Sequence, residues 1–306
     1  MSVEPIIVSY SELDSYRQCP LKHMLGYGMR WTKPVKPGSA LDKGKMYHSV
    51  MEVHYRVIKG YQDTHKGKNP KEGSTEEALL LESCKREVWP ILWDSKVGAF
   101  FTPTHELIAW MYEGHVKNYG TMPDWRIMGV EHQIVTPLRD ERGRRTRYHL
   151  KAKIDLIVKI RSTRSLWVVD HKSGGNLPTD MELDIDDQFG LYTWAMREMG
   201  RPVLGSLHAA NRTQRNKSPM TMDQRMSLTY LNRDETELTN IALDAYRVAW
   251  NAHPPKGSGP KPYSSPDPRT CGWKCDFKEA HLMMRRGRKV AEVMPEFGFK
   301  IDRTRH

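Results

Sequence analysis

The stretch LWVVDHKSGG, Leu166 to Gly175, is a bulky apolar run that ends in an acid and a base two residues apart. Side chains alternate faces along a strand, so Asp170 and Lys172 point one way and His171 the other. Alone, this is an ion pair at a strand end, which contributes little. A second acid changes the reading. Asp155 interrupts the apolar run YHLKAKIDLIVKI, where an unpaired charge is costly, and it lies on the strand immediately before the one that carries Asp170. Neighbouring antiparallel strands can bring two acids within reach of one divalent cation. Hard oxygen donors suit Mg²⁺ or Mn²⁺. A cation held there can polarise a phosphoryl oxygen and lower the pKa of an attacking water.

The elements that must position these groups follow from pattern. SYSELDSYRQCP, with Ser9 and Glu12 at capping-box spacing, predicts a short helix stopped by Pro20. SALDKGKMYHSVMEVHYRVIKGY predicts a second helix with Gly44, His48 and Glu52 on one face. Two more amphipathic helices are expected at about Thr75–Trp93 and Thr104–Tyr119. From Trp125 the period changes to that of strands: WRIMGVEHQIVTPL, the basic turn RDERGRRTR, YHLKAKIDLIVKI and LWVVDHKS form a meander of three. LDIDDQFGLYTWAMREMG predicts a helix ended at Gly200, with Gln188 and Tyr192 four apart on one face. The strands PVLGSLHAANRT and MSLTYL and a helix from about Asp234 to Trp250 complete the core, before a proline-rich linker. The expected fold is α/β with a mixed central sheet. The expected division is a domain over 1–252, helical to about 120 with its sheet core over about 121–252, then a linker over 253–270 and a cysteine-containing segment with a basic tail over 271–306.

Composition narrows the partners. The 306 residues carry 38% hydrophobic and 28% charged side chains, as in a soluble globular chain, and the net charge of +11 favours a polyanion, nucleic acid first. No run approaches the roughly 20 apolar residues of a membrane span, and MSVEPIIVSY lacks the features of a signal peptide, so a cytoplasmic location is expected. The excess of positive charge concentrates in the turn with Arg142, Arg144 and Arg145 and in the tail from Arg285 and Arg286, the expected DNA-binding donors. Cys84 lies in a predicted helix and is expected to pack in a core.

Taken in order, Gly44-x-x-x-His48, Glu131, Asp155 after Ala152-Lys153-Ile154, Asp170-His171-Lys172 and Gln188-x-x-x-Tyr192 resemble the motifs of RecB-type nucleases of the PD-(D/E)XK superfamily. Ala152 departs mildly from the usual glycine. The resemblance implies a restriction-endonuclease-like core in which His48, Asp155, Asp170 and the His171 backbone carbonyl hold Mg²⁺ or Mn²⁺. It also implies that Lys172 positions water, that Glu131 takes a second metal or orients water, and that Gln188 and Tyr192 hold the substrate phosphate or the lysine. The implied activity is exonucleolytic hydrolysis of single-stranded DNA or duplex ends, in recombination, repair or phage DNA processing. A silent nucleic-acid-binding scaffold and a CRISPR-type spacer-processing nuclease are the rivals. A homo-oligomer, or a recombination or integrase partner, is left open.

Tyr16-Arg17-Gln18-Cys19-Pro20-Leu21-Lys22 is similar to the start of the iron-sulfur members, among them the AddB nuclease and the CRISPR-associated RecB-like exonucleases. That likeness implies a [4Fe-4S] cluster on Cys19, Cys271, Cys275 and His281. The stretch CGWKCDFKEAH departs from the family in the spacing of its cysteines and in offering His281 where a cysteine is usual. Three thiolates and an imidazole can equally hold Zn²⁺, and an empty site is the third possibility.

Overall fold

The computed structural model describes residues 4–215, 219–255, 262–273 and 275–303. Residues 256–261 of the expected linker and 304–306 of the basic tail lie outside the described residues. In chain order the elements are β1 (Ile6–Ser9), α1 (Tyr10–Gln18), α2 (Pro20–His23), a π-turn (Met24–Gly28), β2 (Trp31–Thr32), α3 (Ala40–Thr64), α4 (Thr75–Leu92), β3 (Trp93–Asp94), β4 (Ala99–Phe100), α5 (Pro103–Tyr119), β5 (Trp125–Arg139), β6 (Arg145–Ile160) and β7 (Leu166–Gly174). There follow α6 (Asp180–Asp184), α7 (Asp187–Glu198), β8 (Val203–Arg212), α8 (Met222–Arg225), β9 (Met226–Leu231), α9 (Glu235–Ala252), α10 (Pro268–Trp273), α11 (Lys278–Arg285), α12 (Val290–Glu296) and β10 (Lys300–Ile301).

Local chemistry sets the helix starts. Ser9, Ser39, Ser74 and Thr102 each accept the backbone N–H three residues on and so cap α1, α3, α4 and α5. Pro20 does more than stop α1: it opens α2, where its missing N–H costs nothing. The helix expected over LDIDDQFGLYTWAMREMG is two, because Asp186 turns its carboxylate onto the N–H of Gln188 and starts a new helix there.

The chain forms two compact units. The first comprises Met1–Val35, Val135–Ala152 and Asn240–His306. In it β1 runs parallel to the first half of β6, Ile6 opposite Tyr148 and Ser9 opposite Lys151. The C-terminal segment folds onto the N-terminal helices through a core of its own, made by Leu25, Phe277, Ala280, Val293, Met294 and Phe299. The rings of Phe277 and Phe299 stack at 4.8 Å, and β10 pairs antiparallel with β2.

The second unit comprises Lys36–Ile134 and Lys153–Thr239. Its sheet is mixed, in the order β6-β7-β8-β9: β6–β7 and β8–β9 are antiparallel, and β7–β8 are parallel, with α7 in the crossover. Val50 and Ile58 of α3, Cys84 and Val88 of α4, and Ile108 and Tyr112 of α5 pack on one face, against Leu156, Val158, Trp167, Val169 and Leu207. On the other face α7 lies on β8, where Ser206 Oγ donates to the carbonyl of Phe189 at 2.9 Å and meets Thr193 Oγ1 at 2.8 Å. Cys84 is fully buried, as its helical setting predicts. In β5 the buried positions change parity, from Trp125 and Ile127 to Ile134, Thr136 and Leu138. Between them Glu131 has φ +51°, a left-handed backbone that inserts one residue in the manner of a β-bulge.

Candidate functional site

The β6–β7 register pairs Leu156 with Val169, and Asp155 and Asp170 are the next residues along their strands. Both acids are nearly buried, 9% and 6% exposed. Asp155 Oδ2 accepts the backbone N–H of His171 at 2.7 Å and lies 3.2 Å from Nδ1 of His48, which α3 brings to the strand end. Asp170 has a lysine for its partner. Its Oδ2 pairs with Lys172 Nζ at 2.7 Å, and its Oδ1 accepts from Gln188 Nε2 at 3.2 Å. Gln188 Oε1 in turn accepts from Lys172 Nζ at 2.9 Å, and Gln188 Nε2 lies 2.9 Å from the Tyr192 hydroxyl one helical turn along α7. Asp170, Lys172 and Gln188 therefore form a closed ring of polar contacts, braced by Tyr192.

His48, Glu131 and Asp155 each offer a ligand atom within 4.8 Å of the others. Glu131 is at present ion-paired to Lys153. The donor set, two carboxylates and one imidazole at the wall of an open cleft of about 650 Å³, suits a divalent cation with positions left for water and substrate. Asp170 lies beside this group, held by Lys172. His171 touches Asp155 through its N–H, and its ring is buried on the opposite face, against Tyr47 and Tyr55. Lys45, Glu52, Lys153 and Ser173 also line the cleft. Of these, Lys153 was not singled out in the sequence, although its strand parity with Asp155 is a signal that could have found it.

The electrostatics divide the two acids. Burial pushes the Asp155 carboxyl up, but His171 and His48 beside it outweigh this and hold it well below the usual carboxylate range. Burial raises Asp170, and Lys172 only partly opposes it. Burial lowers His48, but its contact with Asp155 leaves it raised. Lys172 is likewise disfavoured by burial and kept charged by Asp170. Size does not mark this cleft: a larger one of about 870 Å³, lined by Trp89, Trp93 and Phe101, carries balanced charges and, among the described residues, no comparable group of ligands.

Cys19, Cys271, Cys275 and His281 surround one small cavity of about 30 Å³, close to the space of a single water or ion. The donor types fit a metal. Among the described residues, however, no three of their ligand atoms come within 4.8 Å of one another. In the basic turn, Arg144 is held by Asp140, 2.8 Å from Nε and 2.7 Å from Nη2, whereas Arg142 and Arg145 are exposed. Arg285 and Arg286 are exposed at the end of α11.

No helix among the described residues is long and apolar enough to cross a membrane. A solved structure from Eubacterium rectale, titled for an inferred exonuclease, is 12% identical over 89% of this chain and 86% of its own, with a TM-score of 0.47. The solved protein SSO0001 is 14% identical over 74% of this chain and 95% of its own, with a TM-score of 0.31. No curated protein matches the chain. The model of one family, the PD-(D/E)XK nuclease superfamily, matches residues 7–280. With strand ends that carry the acid, acid and lysine of that name, the chain belongs to the PD-(D/E)XK nuclease superfamily.

Proposed function

We propose that the protein is a metal-dependent exonuclease that hydrolyses phosphodiester bonds of single-stranded DNA or duplex ends, with Mg²⁺ or Mn²⁺ at His48, Asp155 and Glu131. The observation that carries this reading is the meeting, in one open cleft, of that ligand group and the Asp170–Lys172–Gln188 ring. The cation supplies Lewis acidity at a phosphoryl oxygen and a lowered pKa for water. The residues supply the rest. Asp155, held anionic, and His48 fix the position of the charge. By the resemblance, Asp170 and the backbone carbonyl of His171 would complete the oxygen ligands. Lys172, kept protonated by Asp170, orients the attacking water and offsets charge that develops on the phosphoryl oxygens. Gln188, braced by Tyr192, holds the lysine in line. Recombination, repair or phage DNA processing is the setting that such an activity suits.

End-labelled single- and double-stranded DNA, with RNA as a comparison, incubated with Mg²⁺, Mn²⁺ or EDTA, tests the reading. Stepwise loss of label with metal, none with EDTA and none from Asp155→Asn is the expected result. Tight DNA binding without cleavage under any metal would leave a nucleic-acid-binding scaffold in its place.

Cys19, Cys271, Cys275 and His281 are proposed to hold a second centre, a [4Fe-4S] cluster by resemblance to the iron-sulfur nucleases. A single Zn²⁺ on the same thiolates and imidazole is the alternative. Anaerobic purification separates the two: brown protein carries a cluster, and colourless protein with one zinc carries the ion.

A further inference from the structure

Three side chains of the first unit converge outside the nuclease residues. Glu12 of α1 and His23 at the end of α2 are buried, and His253 follows α9. Glu12 Oε1 lies 3.1 Å from His23 Nε2 and 2.8 Å from His253 Nε2. All three ligand atoms lie within 4.8 Å of one another. Ligands at tetrahedral bond lengths around zinc stand about 3.3 Å apart, so these atoms are nearly in place.

The geometry is built rather than accidental. Ser9 and Glu12 have the spacing of a capping box, in which Glu12 would fold back onto the N–H of Ser9. Ser9 does cap the helix, accepting the Glu12 N–H at 3.2 Å. The carboxylate goes to the two imidazoles instead. Each ligand is pinned through its backbone as well: the His23 N–H donates to Cys19 O at 3.0 Å, the His253 N–H donates to Ala249 O at 2.9 Å, and the His253 carbonyl accepts from the Tyr148 hydroxyl at 2.8 Å. Tyr27 stacks on the His23 ring, and Tyr16 meets it edge-on.

Two imidazoles and one carboxylate are a zinc donor set with a fourth position open, and are softer than a magnesium site requires. We propose that Glu12, His23 and His253 form a Zn²⁺ site that ties α1 and α2 to the end of α9, with the ion taking the place of the Nε2 protons.

The test uses the full-length chain carrying Asp155→Asn, Cys271→Ser and Cys275→Ser, stripped of metal, so that the other candidate ligand groups are disabled. Titration with Co²⁺ should give one equivalent of visible absorption without thiolate charge transfer, displaced by one Zn²⁺, and Zn²⁺ should raise the Tm. Adding His253→Gln keeps a hydrogen-bond donor for Glu12 but removes a ligand. Loss of a direct ligand should weaken Co²⁺ binding by about 100-fold, at least what loss of an outer partner costs, and abolish the Zn²⁺-dependent rise in Tm while the metal-free Tm changes little. Absence of Co²⁺ absorption, or an affinity unchanged by His253→Gln, would overturn the site and leave Glu12 as a hydrogen-bonded carboxylate only.

Discussion

At the scale of residues, the two acids at the strand ends stand in different electrostatic company, and the difference predicts different mutants. Asp155 is held anionic by its histidines, so Asp155→Asn removes a ligand charge while the Asn oxygen can still accept the His171 N–H. Cleavage should fall by about 10²–10³-fold or more with the Tm nearly unchanged; near wild-type turnover would sink the assignment. Lys172→Ala should lose activity to a similar degree and also destabilise the fold, because it leaves Asp170 buried without its cation, a defect of order 3 kcal/mol. Lys172→Ala with wild-type stability in chemical denaturation would refute that coupling. Strand period placed Asp170 and Lys172 on one face, whereas Gln188 was singled out by the ordered motifs of the resemblance, because helical spacing alone suits ordinary packing equally. The pairing of Glu131 with Lys153, and the recruitment of Glu12 away from its cap, were not legible, since both depend on partners far off in the chain.

At the scale of elements, α3, α4, α5, β5 to β9 and α9 were readable because each has a clear apolar period or a capping residue at its start. The parallel strand β1 was missed: four residues carry too little pattern, and only the partner strand β6 defines it. The helices after residue 267 were missed because proline and charge dominate the local composition, while their core needs Leu25 from the other end of the chain. The bulge at Glu131 makes a prediction of its own. A β-branched residue tolerates a left-handed φ poorly, so Glu131→Val should cost about 1–3 kcal/mol, whereas Glu131→Gly should keep or improve stability. Both should lose metal-dependent cleavage. Equal melting temperatures for the two variants would show that the backbone at 131 is not strained.

At the scale of the whole molecule, pH and salt act through groups spread over the chain. His54 is fully buried in the second unit, its Nδ1 3.1 Å from the Tyr112 hydroxyl, and burial lowers it to about 3. The unfolded chain takes up its proton near pH 6.5 and the folded chain does not, so the stability is whole above that pH and is lost as pH falls from 6.5 towards 3. The slope is up to about 1.4 kcal/mol per pH unit from this one group. Denaturation midpoints for wild type and His54→Gln should converge across that window, and parallel curves would remove His54 as the source. The charge of +11 predicts the response to salt. Each phosphate contact contributes about 0.7–0.9 to the slope of log affinity against log salt. Arg142 and Arg145 are exposed, whereas Arg144 is already turned onto Asp140. Arg142→Ala with Arg145→Ala should therefore flatten the slope by about 1.4–1.8. Arg144→Ala, by contrast, should leave the slope nearly unchanged and instead loosen the turn, whose Asp140 carboxylate also accepts the backbone N–H groups of Arg142 and Arg144. Equal salt slopes for the double variant, Arg144→Ala and wild type would show that the turn does not meet DNA.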